Sequence, residues 1–153
     1  MPMTIRMRDA RPDEAPILTQ LALRSKRAWG YDDAFMAAIM PDMIVEPEYV
    51  REERAIVAIE GDVILGYVIV RSDGESAFLR DLFVEPARFR QGIGKALFGR
   101  ALEYARERGA RSLQLCGDPN ARGFYERVGM TKVGEEPSIA GGGRMLPIME
   151  LRL

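Results

Sequence analysis

The chain has 153 residues, and its 22 lysines and arginines against 23 aspartates and glutamates give a formal net charge of −1. This length suits one domain with a sizeable core, and the balanced charge argues against general electrostatic binding to nucleic acid or to anionic membranes. The sequence contains 0 histidines, which excludes a histidine base, a Ser-His-Asp or Cys-His nucleophile and an HExxH zinc site. We expect no metal.

The sequence also indicates where the protein works. No apolar run approaches the roughly 18 residues that a membrane span needs, and Met1–Arg8 lacks the apolar core of a signal peptide. Cys116 is the 1 cysteine of the chain, and a single thiol without an internal partner fits a reducing compartment. We therefore expect a cytoplasmic protein without a membrane partner.

Hydrophobic periodicity predicts a strand followed by two helices at the start of the chain. Ile5 and Met7 alternate with polar neighbours as in a short strand. Apolar residues at helical spacing predict a helix over Pro12–Ser25 and a second one over Asp33–Met40, which we expect Pro41 to end.

Three long strands are expected next. Ala55–Ile59 and Val63–Val70 are rich in β-branched residues and flank a Glu-Gly-Asp turn around Gly61, which is typical of a tight antiparallel hairpin. Ala77–Val84 is the third strand. The clearest helix follows over Ile93–Arg108, with an apolar stripe along one side.

The remaining elements are shorter. We predict a strand at Ser112–Cys116, a helix at Ala121–Val128 and a final strand pair at Thr131–Val133 and Leu146–Leu151. The expected order is β-α-α-β-β-β-α-β-α-β-β.

The segment at residues 85–95, Glu-Pro-Ala-Arg-Phe-Arg-Gln-Gly-Ile-Gly-Lys, leads into the clearest helix. A helix start presents unpaired N–H groups, and Gly92 and Gly94 lack the Cβ that would keep a phosphate from them. Arg88, Arg90 and Lys95 add positive charge. The segment favours a diphosphate site, while glycines that merely ease packing at the helix start explain the same pattern.

Two familiar phosphate motifs do not fit this segment. A dinucleotide fingerprint needs glycine at the position of Leu97. A Walker A loop needs glycine at Phe89 and serine or threonine at Ala96. The ligand of this segment is therefore neither a dinucleotide nor a nucleoside triphosphate bound in those ways.

Three runs, Leu82–Pro86, Arg90–Leu97 and Asp118–Met130, stand in a recognisable order. Together they resemble the GNAT superfamily of acyl-CoA N-acyltransferases over roughly residues 60–134. The resemblance implies an α/β (α+β) fold, with a central mixed, mostly antiparallel sheet of about seven strands flanked by about four helices. It also implies a single N-acetyltransferase domain over residues 1–153.

The resemblance implies that acetyl-CoA lies in a gap between the strands Ala77–Val84 and Ser112–Cys116, with its pyrophosphate on main-chain amides. The family usually has glutamine or arginine where this chain has Phe89, which leaves a side-chain contact there open. The implied coenzyme-binding residues are Leu82, Phe83, Val84, Phe89, Arg90, Gln91, Gly92, Ile93, Gly94, Lys95, Asn120 and Phe124.

The same resemblance implies direct attack of an amine on the thioester in a ternary complex. Tyr125 takes the place of the family's general acid, although a core aromatic on a short helix is the plainer interpretation. Without a histidine, we name Asp81 as the candidate base, although a carboxylate on a strand is more often solvated or ion-paired. Cys116 could accept the acyl group, but a small buried thiol fits it better.

The acceptor is expected to be a small-molecule primary amine. Trp29, in the connection between the first two helices, covers the acceptor or is a packed anchor. Arg144, in a glycine-rich loop, meets an acceptor carboxylate or is a solvated loop charge. The main alternative function is an acyl-CoA-binding sensor without turnover, and a domain that only packs or binds partners is more remote. A homodimer is among the states that the sequence leaves open.

Overall fold

The computed structural model describes residues 4–153, so the first three residues of the segment Met1–Arg8 lie outside it. Seven strands form one sheet in the order β1-β2-β3-β4-β5-β7-β6. The strands are β1 (Ile5–Asp9), β2 (Arg54–Glu60), β3 (Val63–Asp73), β4 (Ser76–Val84), β5 (Ser112–Cys116), β6 (Thr131–Pro137) and β7 (Met145–Arg152).

The described chain forms five α-helices, together with short 3₁₀ turns. Each neighbouring strand pair is antiparallel except β4 with β5, which run parallel. The expected fold, a mixed and mostly antiparallel sheet, is therefore confirmed. The helices are α1 (Ala15–Arg27), α2 (Asp33–Met43), α3 (Pro47–Glu52), α4 (Ile93–Glu107) and α5 (Arg122–Arg127).

Two expectations about the helices were wrong. Pro41 does not end α2, which continues to Met43. Proline costs least near a helix end, and burial of the Met43 side chain favours this last turn. The short helix α3 was not predicted. It begins with Pro47 at its first position and buries Val50, but its six residues are too few for a clear periodic pattern.

The hairpin and the longest helix agree with the sequence. Glu60 pairs with Val63, so the β2-β3 turn is as tight as expected, and Gly61 adopts a positive φ of 62° there. Gly109 follows α4 with φ 84°, the conformation that glycine favours after a helix end. Within residues 4–153, no helix combines the length and apolar character needed to cross a bilayer.

Helices cover both faces of the sheet. The helices α4 and α5 pack on the face that we call the α4 face, around side chains such as Leu97 and Phe98. The helices α1 and α2 pack on the opposite α1 face, around Leu18, Leu21 and Tyr67. Each face has its own apolar core, so the sheet is buried on both sides.

A β-bulge interrupts β4 at Arg80, which the antiparallel register with β3 skips. Leu79 and Leu82, three residues apart, both pack on the α4 face. Arg80 and Asp81 consequently line one cavity together with residues of α2 and α3, on the α1 face. The bulge thus turns two adjacent charged side chains to the same side of the sheet.

The strands β4 and β5 pair over three residues only, from Ser76 opposite Ser112 to Phe78 opposite Gln114. Beyond Phe78, β4 runs on to Val84, and within residues 4–153 it has no further partner on this edge. The other edge of β5 pairs with β7 along its whole length. The two parallel strands therefore part next to the bulge, and a gap opens between their carboxyl ends.

Gly66 of β3 sets how closely α4 approaches this gap. A Cβ at Gly66 would lie 3.0 Å from the Phe83 carbonyl oxygen, 3.1 Å from Leu97 Cδ1 and 3.4 Å from Ile93 Cγ2. The carbonyl belongs to the backbone and cannot swing away, so only glycine lets the first turns of α4 rest on β3 and β4.

We therefore expect Gly66→Ala to lower the free energy of unfolding by about 1–3 kcal/mol, because overpacking forces α4 away from the sheet. Gly99→Ala is the matched control, since a Cβ there meets no atom within 4 Å. It should raise stability by about 0.5–1 kcal/mol through helix propensity alone. Urea denaturation of both variants measures the difference, and an equally stable Gly66→Ala would contradict this packing.

Candidate active site

The gap between β4 and β5 continues past the start of α4. A Cβ at Gly94 would lie 3.5 Å from the Phe124 ring of α5 and 3.6 Å from Val84 Cγ2 of β4. Gly94 therefore presents its bare backbone between the end of β4 and the start of α5. A side chain longer than alanine would reach into this space.

The first turn of α4 presents N–H groups at the same place. The first main-chain bond of the helix runs from Ala96 N–H to the Gly92 carbonyl at 3.0 Å, so the N–H groups of Ile93, Gly94 and Lys95 precede the helical ladder. Gly92 is the N-cap, with φ 81° and no side-chain cap. Uncapped N–H groups with the positive end of the helix dipole suit an anion.

The loop before α4 is braced from outside. Arg88 donates to both Glu60 carboxylate oxygens, at 2.9 and 3.2 Å, and to Gln91 Oε1 at 2.7 Å. Arg90 adopts a left-handed φ of 65°, unusual for a residue with a Cβ. The Arg88 charge is therefore paired with Glu60 of β2, whereas Arg90 and Lys95 are exposed beside the helix start.

Phe89 points toward α1. Its ring centroid lies 6.5 Å from that of Trp29, with the planes 27° apart, and both side chains are exposed. Arg24 of α1 also binds Glu85 through two contacts, at 2.7 and 3.0 Å. The loop before α4 is thus tied to the end of α1.

Asp81 lies on the α1 face, where its Oδ2 accepts a 2.9 Å hydrogen bond from the hydroxyl of Tyr67. Tyr67 is wholly buried, and removal from water raises its pKa well above the ordinary value, with Asp81 adding to the shift. Tyr67 therefore stays protonated and donates to the carboxylate. Sequence reasoning missed this partner, because an apolar strand context makes Tyr67 look like an ordinary core residue.

Burial raises the pKa of Asp81 to about 6, against the opposing effects of the Tyr67 hydrogen bond and the Arg80 charge. The more distant carboxylates Glu53 and Asp42 raise it further. Asp81 is half-buried and borders a cavity of about 100 Å³ between β4, α2 and α3. A carboxylate that titrates near pH 6 is ionised at neutral pH and is a better proton acceptor than an exposed aspartate.

Arg80, beside Asp81, is fully engaged. Its guanidinium makes two bonds to the Glu53 carboxylate, at 2.9 and 3.0 Å, and lies 3.9 Å from the centroid of the Tyr49 ring. It fixes the end of α3 against β4. Asp81 has no such direct ion pair among the described residues, so the ion-paired alternative for Asp81 is not supported.

Tyr125 is buried on the α4 face, on the opposite side of the gap. Its ring packs edge-on against Phe124 at 5.3 Å and lies 6.5 Å from Phe98. A Cβ at Gly117 would come within 3.2 Å of the Tyr125 ring, so glycine there gives the ring its place. Burial, and to a lesser extent the charges of Asp81 and Asp118, raises the pKa of Tyr125.

Cys116 ends β5 beside the gap. Burial first, and then the neighbouring Glu136 carboxylate, raises the pKa of the Cys116 thiol to about 12. A thiol that stays protonated at neutral pH is a poor nucleophile. This supports the interpretation of Cys116 as a small, partly buried thiol over that of an acyl acceptor.

A cluster of polar side chains lies at the end of the gap away from the start of α4. There the α1-α2 connection meets the loops after β5 and β6. We call it the Asp118 cluster; its members are Lys26, Tyr31, Asp118, Asn120 and Arg144. Tyr31 donates to Asp118 at 2.8 Å, and Lys26 Nζ lies 2.7 Å from the same carboxylate. Asn120 donates its side-chain amide to the Tyr31 oxygen at 2.8 Å.

The structure brings part of the sequence candidates to this gap, from three sides. The first turn of α4 lies at its mouth, with Gly94 beside Val84 and Phe124. Leu82 and Val84 pack on its α4 face, and Phe83 faces Tyr67 on the α1 face. Asn120 is directed to the Asp118 cluster rather than to the start of α4. Lys26 and Tyr31 lie in or beside the connection that the sequence already singled out.

Comparisons with known proteins agree with this architecture. A family model described as the acetyltransferase (GNAT) family matches residues 17–130. An uncharacterized N-acetyltransferase of Methanocaldococcus jannaschii is 37% identical over 71 residues, which are 44% of this chain and 30% of that protein. The match therefore spans about a third of the length of this curated relative.

Two solved structures cover almost the whole fold. The PaiA N-acetyltransferase of Thermoplasma acidophilum, in complex with coenzyme A, superposes with a TM-score of 0.82 at 17% identity over 99% of this chain and 100% of that chain. A GCN5-related N-acetyltransferase of Rhodopseudomonas palustris gives 0.81 at 19% identity, over 100% and 98%. At these identities the likeness concerns the fold.

The fold, with its parallel strand pair joined by α4, is shared with these solved N-acetyltransferase structures. Because the family model matches most of this chain, residues 17–130, the chain belongs to the acetyltransferase (GNAT) family, a family of acyltransferases. The resemblance found in the sequence is thereby confirmed.

Proposed function

We propose that the protein is an N-acetyltransferase that moves the acetyl group of acetyl-CoA to a primary amine of a small molecule. The observation that carries the proposal is the gap between β4 and β5, with uncapped N–H groups of α4 at its mouth and Asp81 and Tyr125 on its two sides. This arrangement offers an anion site, a base and a proton donor around one crevice.

The coenzyme binds mainly through main-chain groups in this proposal. The pyrophosphate sits on the amides from Phe89 to Lys95, and the pantetheine arm runs between β4 and α5 past Gly94. The free edge of β4 at Leu82, Phe83 and Val84 offers backbone groups to the thioester carbonyl. Phe89 contributes its backbone only, since its ring faces Trp29. Amides that are fixed before the reaction stabilise the oxyanion of a direct attack.

Asp81 removes the proton of the attacking ammonium group. Its support is geometric: the bulge at Arg80 turns it to the α1 face, and Tyr67 holds the carboxylate. With a pKa of about 6, the carboxylate is charged at pH 7 yet basic enough to take part in proton transfer. Tyr125 donates its proton to the leaving thiolate on the other side, and its raised pKa keeps it protonated.

A widely open cavity of about 430 Å³ between the α1-α2 connection and the β6-β7 loop supports a small-molecule acceptor. Asp81 borders a separate cavity of about 100 Å³, so the amine of the acceptor would have to extend from the larger cavity to Asp81. The alternative is an acyl-CoA-binding sensor without turnover. It would need the site at α4 but neither Asp81 nor Tyr125. We further place the protein in the cytoplasm, where acetyl-CoA is available and a free thiol such as Cys116 persists.

Release of free thiol from acetyl-CoA, measured over a broad panel of primary amines, tests the function. An acetyltransferase releases thiol with at least one amine, and the product carries an N-acetyl group by mass spectrometry. Coenzyme binding without release over the whole panel would favour the sensor.

We expect Gly94→Leu to abolish binding of coenzyme A, because the side chain would fill the space between Val84 and Phe124. Gly99→Leu, on the same helix but facing open space, is the control and should bind normally. Calorimetric titration with coenzyme A measures both. Unchanged affinity in a folded Gly94→Leu would rule out the proposed path of the coenzyme.

We expect Asp81→Asn to lower kcat/KM at pH 7 by about 10²–10⁴-fold, the usual worth of a positioned base. The carboxylate is the active form, so the wild-type rate should fall as the pH drops through about 6. That inflection should be absent from the variant. Asp73→Asn, at the exposed end of β3, is the control. A wild-type profile in Asp81→Asn would remove Asp81 from the mechanism.

Tyr125→Phe should lower kcat by about 10²–10⁴-fold at saturating acetyl-CoA while leaving coenzyme affinity unchanged, because only the proton donor is lost. Tyr104→Phe on α4 controls for loss of a hydroxyl elsewhere. Steady-state kinetics separate the two parameters. If kcat stays at the wild-type value, Tyr125 is not the proton donor and is only an aromatic residue of the core.

A further inference from the structure

Arg144 has an unusual setting within the Asp118 cluster. Its Nη2 donates to the Tyr31 hydroxyl and lies 3.4 Å from Asp118 Oδ2. Its Nε is buried without a hydrogen-bond partner, and Nη1 makes no bond to the described residues. The buried Nε is out of reach of a ligand, so Nη1 is the donor left for a further acceptor.

The charges of the cluster do not balance. Lys26 and Arg144 are two cations, and Asp118 is the one carboxylate between them. Burial alone would raise the pKa of Asp118, but Lys26, the Asn120 N–H and the Tyr31 hydroxyl outweigh it and lower this pKa, so the carboxylate is ionised. Burial raises the pKa of Tyr31, which stays neutral. One positive charge remains.

The other nearby carboxylates make no bond to Arg144 among the described residues. Asp32 lines the same cavity, but it is exposed and accepts a 2.8 Å hydrogen bond from the Phe35 N–H as the N-cap of α2. Asp33 pairs with Arg27 at 2.7 Å on the outside. Glu136 lies beside Cys116 instead.

The guanidinium is also held in place. Its central carbon lies 4.9 Å from the centroid of the Tyr31 ring and 4.8 Å from that of Phe35, and the two rings stack at 4.0 Å. The glycine-rich loop that carries Arg144 is closed by a 2.9 Å bond from Ser138 N–H to the Arg144 carbonyl. Such a group loses little freedom when it binds a ligand.

Arg144, Tyr31 and Phe35 line the cavity of about 430 Å³ in which the acceptor is placed. We infer that the acceptor amine also carries a carboxylate, as an amino acid does, and that Arg144 binds this carboxylate in the cavity. The inference rests on the proposed function. A single planar guanidinium, with Lys26 already paired to Asp118, suits a carboxylate better than a more highly charged phosphate.

The test compares matched acceptors. Thiol release from acetyl-CoA is measured with the twenty common α-amino acids, β-alanine and 4-aminobutanoate, each beside its amide. The wild type should use at least one acid with a kcat/KM at least tenfold above that of its amide. Arg144→Gln should erase this preference, and Arg152→Gln, an exposed arginine of β7, should keep it.

Tyr31→Phe distinguishes loss of the Arg144 charge from damage to the Asp118 cluster. It removes the hydroxyl that links Arg144 to Asp118 but leaves the guanidinium in place. It should retain the preference for the acid. Equal use of acids and amides by the wild type, or an unchanged preference in Arg144→Gln, would overturn the inference while leaving acetyl transfer intact.

A binding measurement keeps the inference testable without turnover. Calorimetry on the protein saturated with coenzyme A compares N-acetylated forms of the same acids and amides. At least tenfold tighter binding of an acid than of its amide, lost in Arg144→Gln, would support the carboxylate site. If in addition no amine is acetylated, the proposed function fails while the carboxylate site stands. No preference in this measurement would overturn the site.

Discussion

The parting of β4 from β5 is the constraint on which the rest of the structure depends. Their pairing ends after three residues, at Phe78, and the bulge at Arg80 that follows turns Asp81 to the α1 face. The crevice therefore opens next to the bulge that positions a carboxylate beside it. Gly66 and Gly94 then let α4 approach the opening closely enough for its first N–H groups to face the crevice.

The two sides of the opening differ in polarity. On the α4 face the side chains are apolar, and Tyr125 is buried among them. At the opening, the α1 face instead carries charged side chains. Asp81 with Tyr67 lies near the middle, and the Asp118 cluster lies at the far end. A thioester that lies on main-chain groups between them would meet its proton donor from one side and the acceptor from the other. The proposed direct attack in a ternary complex requires such a division.

The sequence predicted what depends on local patterns. The hairpin at Gly61 and helix α4 follow from β-branched runs and apolar periodicity. The glycine spacing placed the uncapped start of α4, and the anion site there stays a prediction. The continuation of α2 through Pro41 was missed because burial of Met43 is a tertiary effect. The Tyr67 bond to Asp81 and the net positive charge of the Asp118 cluster arise between segments that are distant in sequence. No local sequence pattern predicts such contacts.

The central claim is that main-chain N–H groups at the start of α4 bind the pyrophosphate of the coenzyme. Titration of ¹⁵N-labelled protein with coenzyme A, followed by amide NMR, tests it most directly. The amide signals of Gly92, Ile93, Gly94 and Lys95 should show the largest shifts, with smaller shifts along Leu82–Val84. Saturation with the coenzyme that moves signals elsewhere and leaves those of residues 92–95 in place would contradict it.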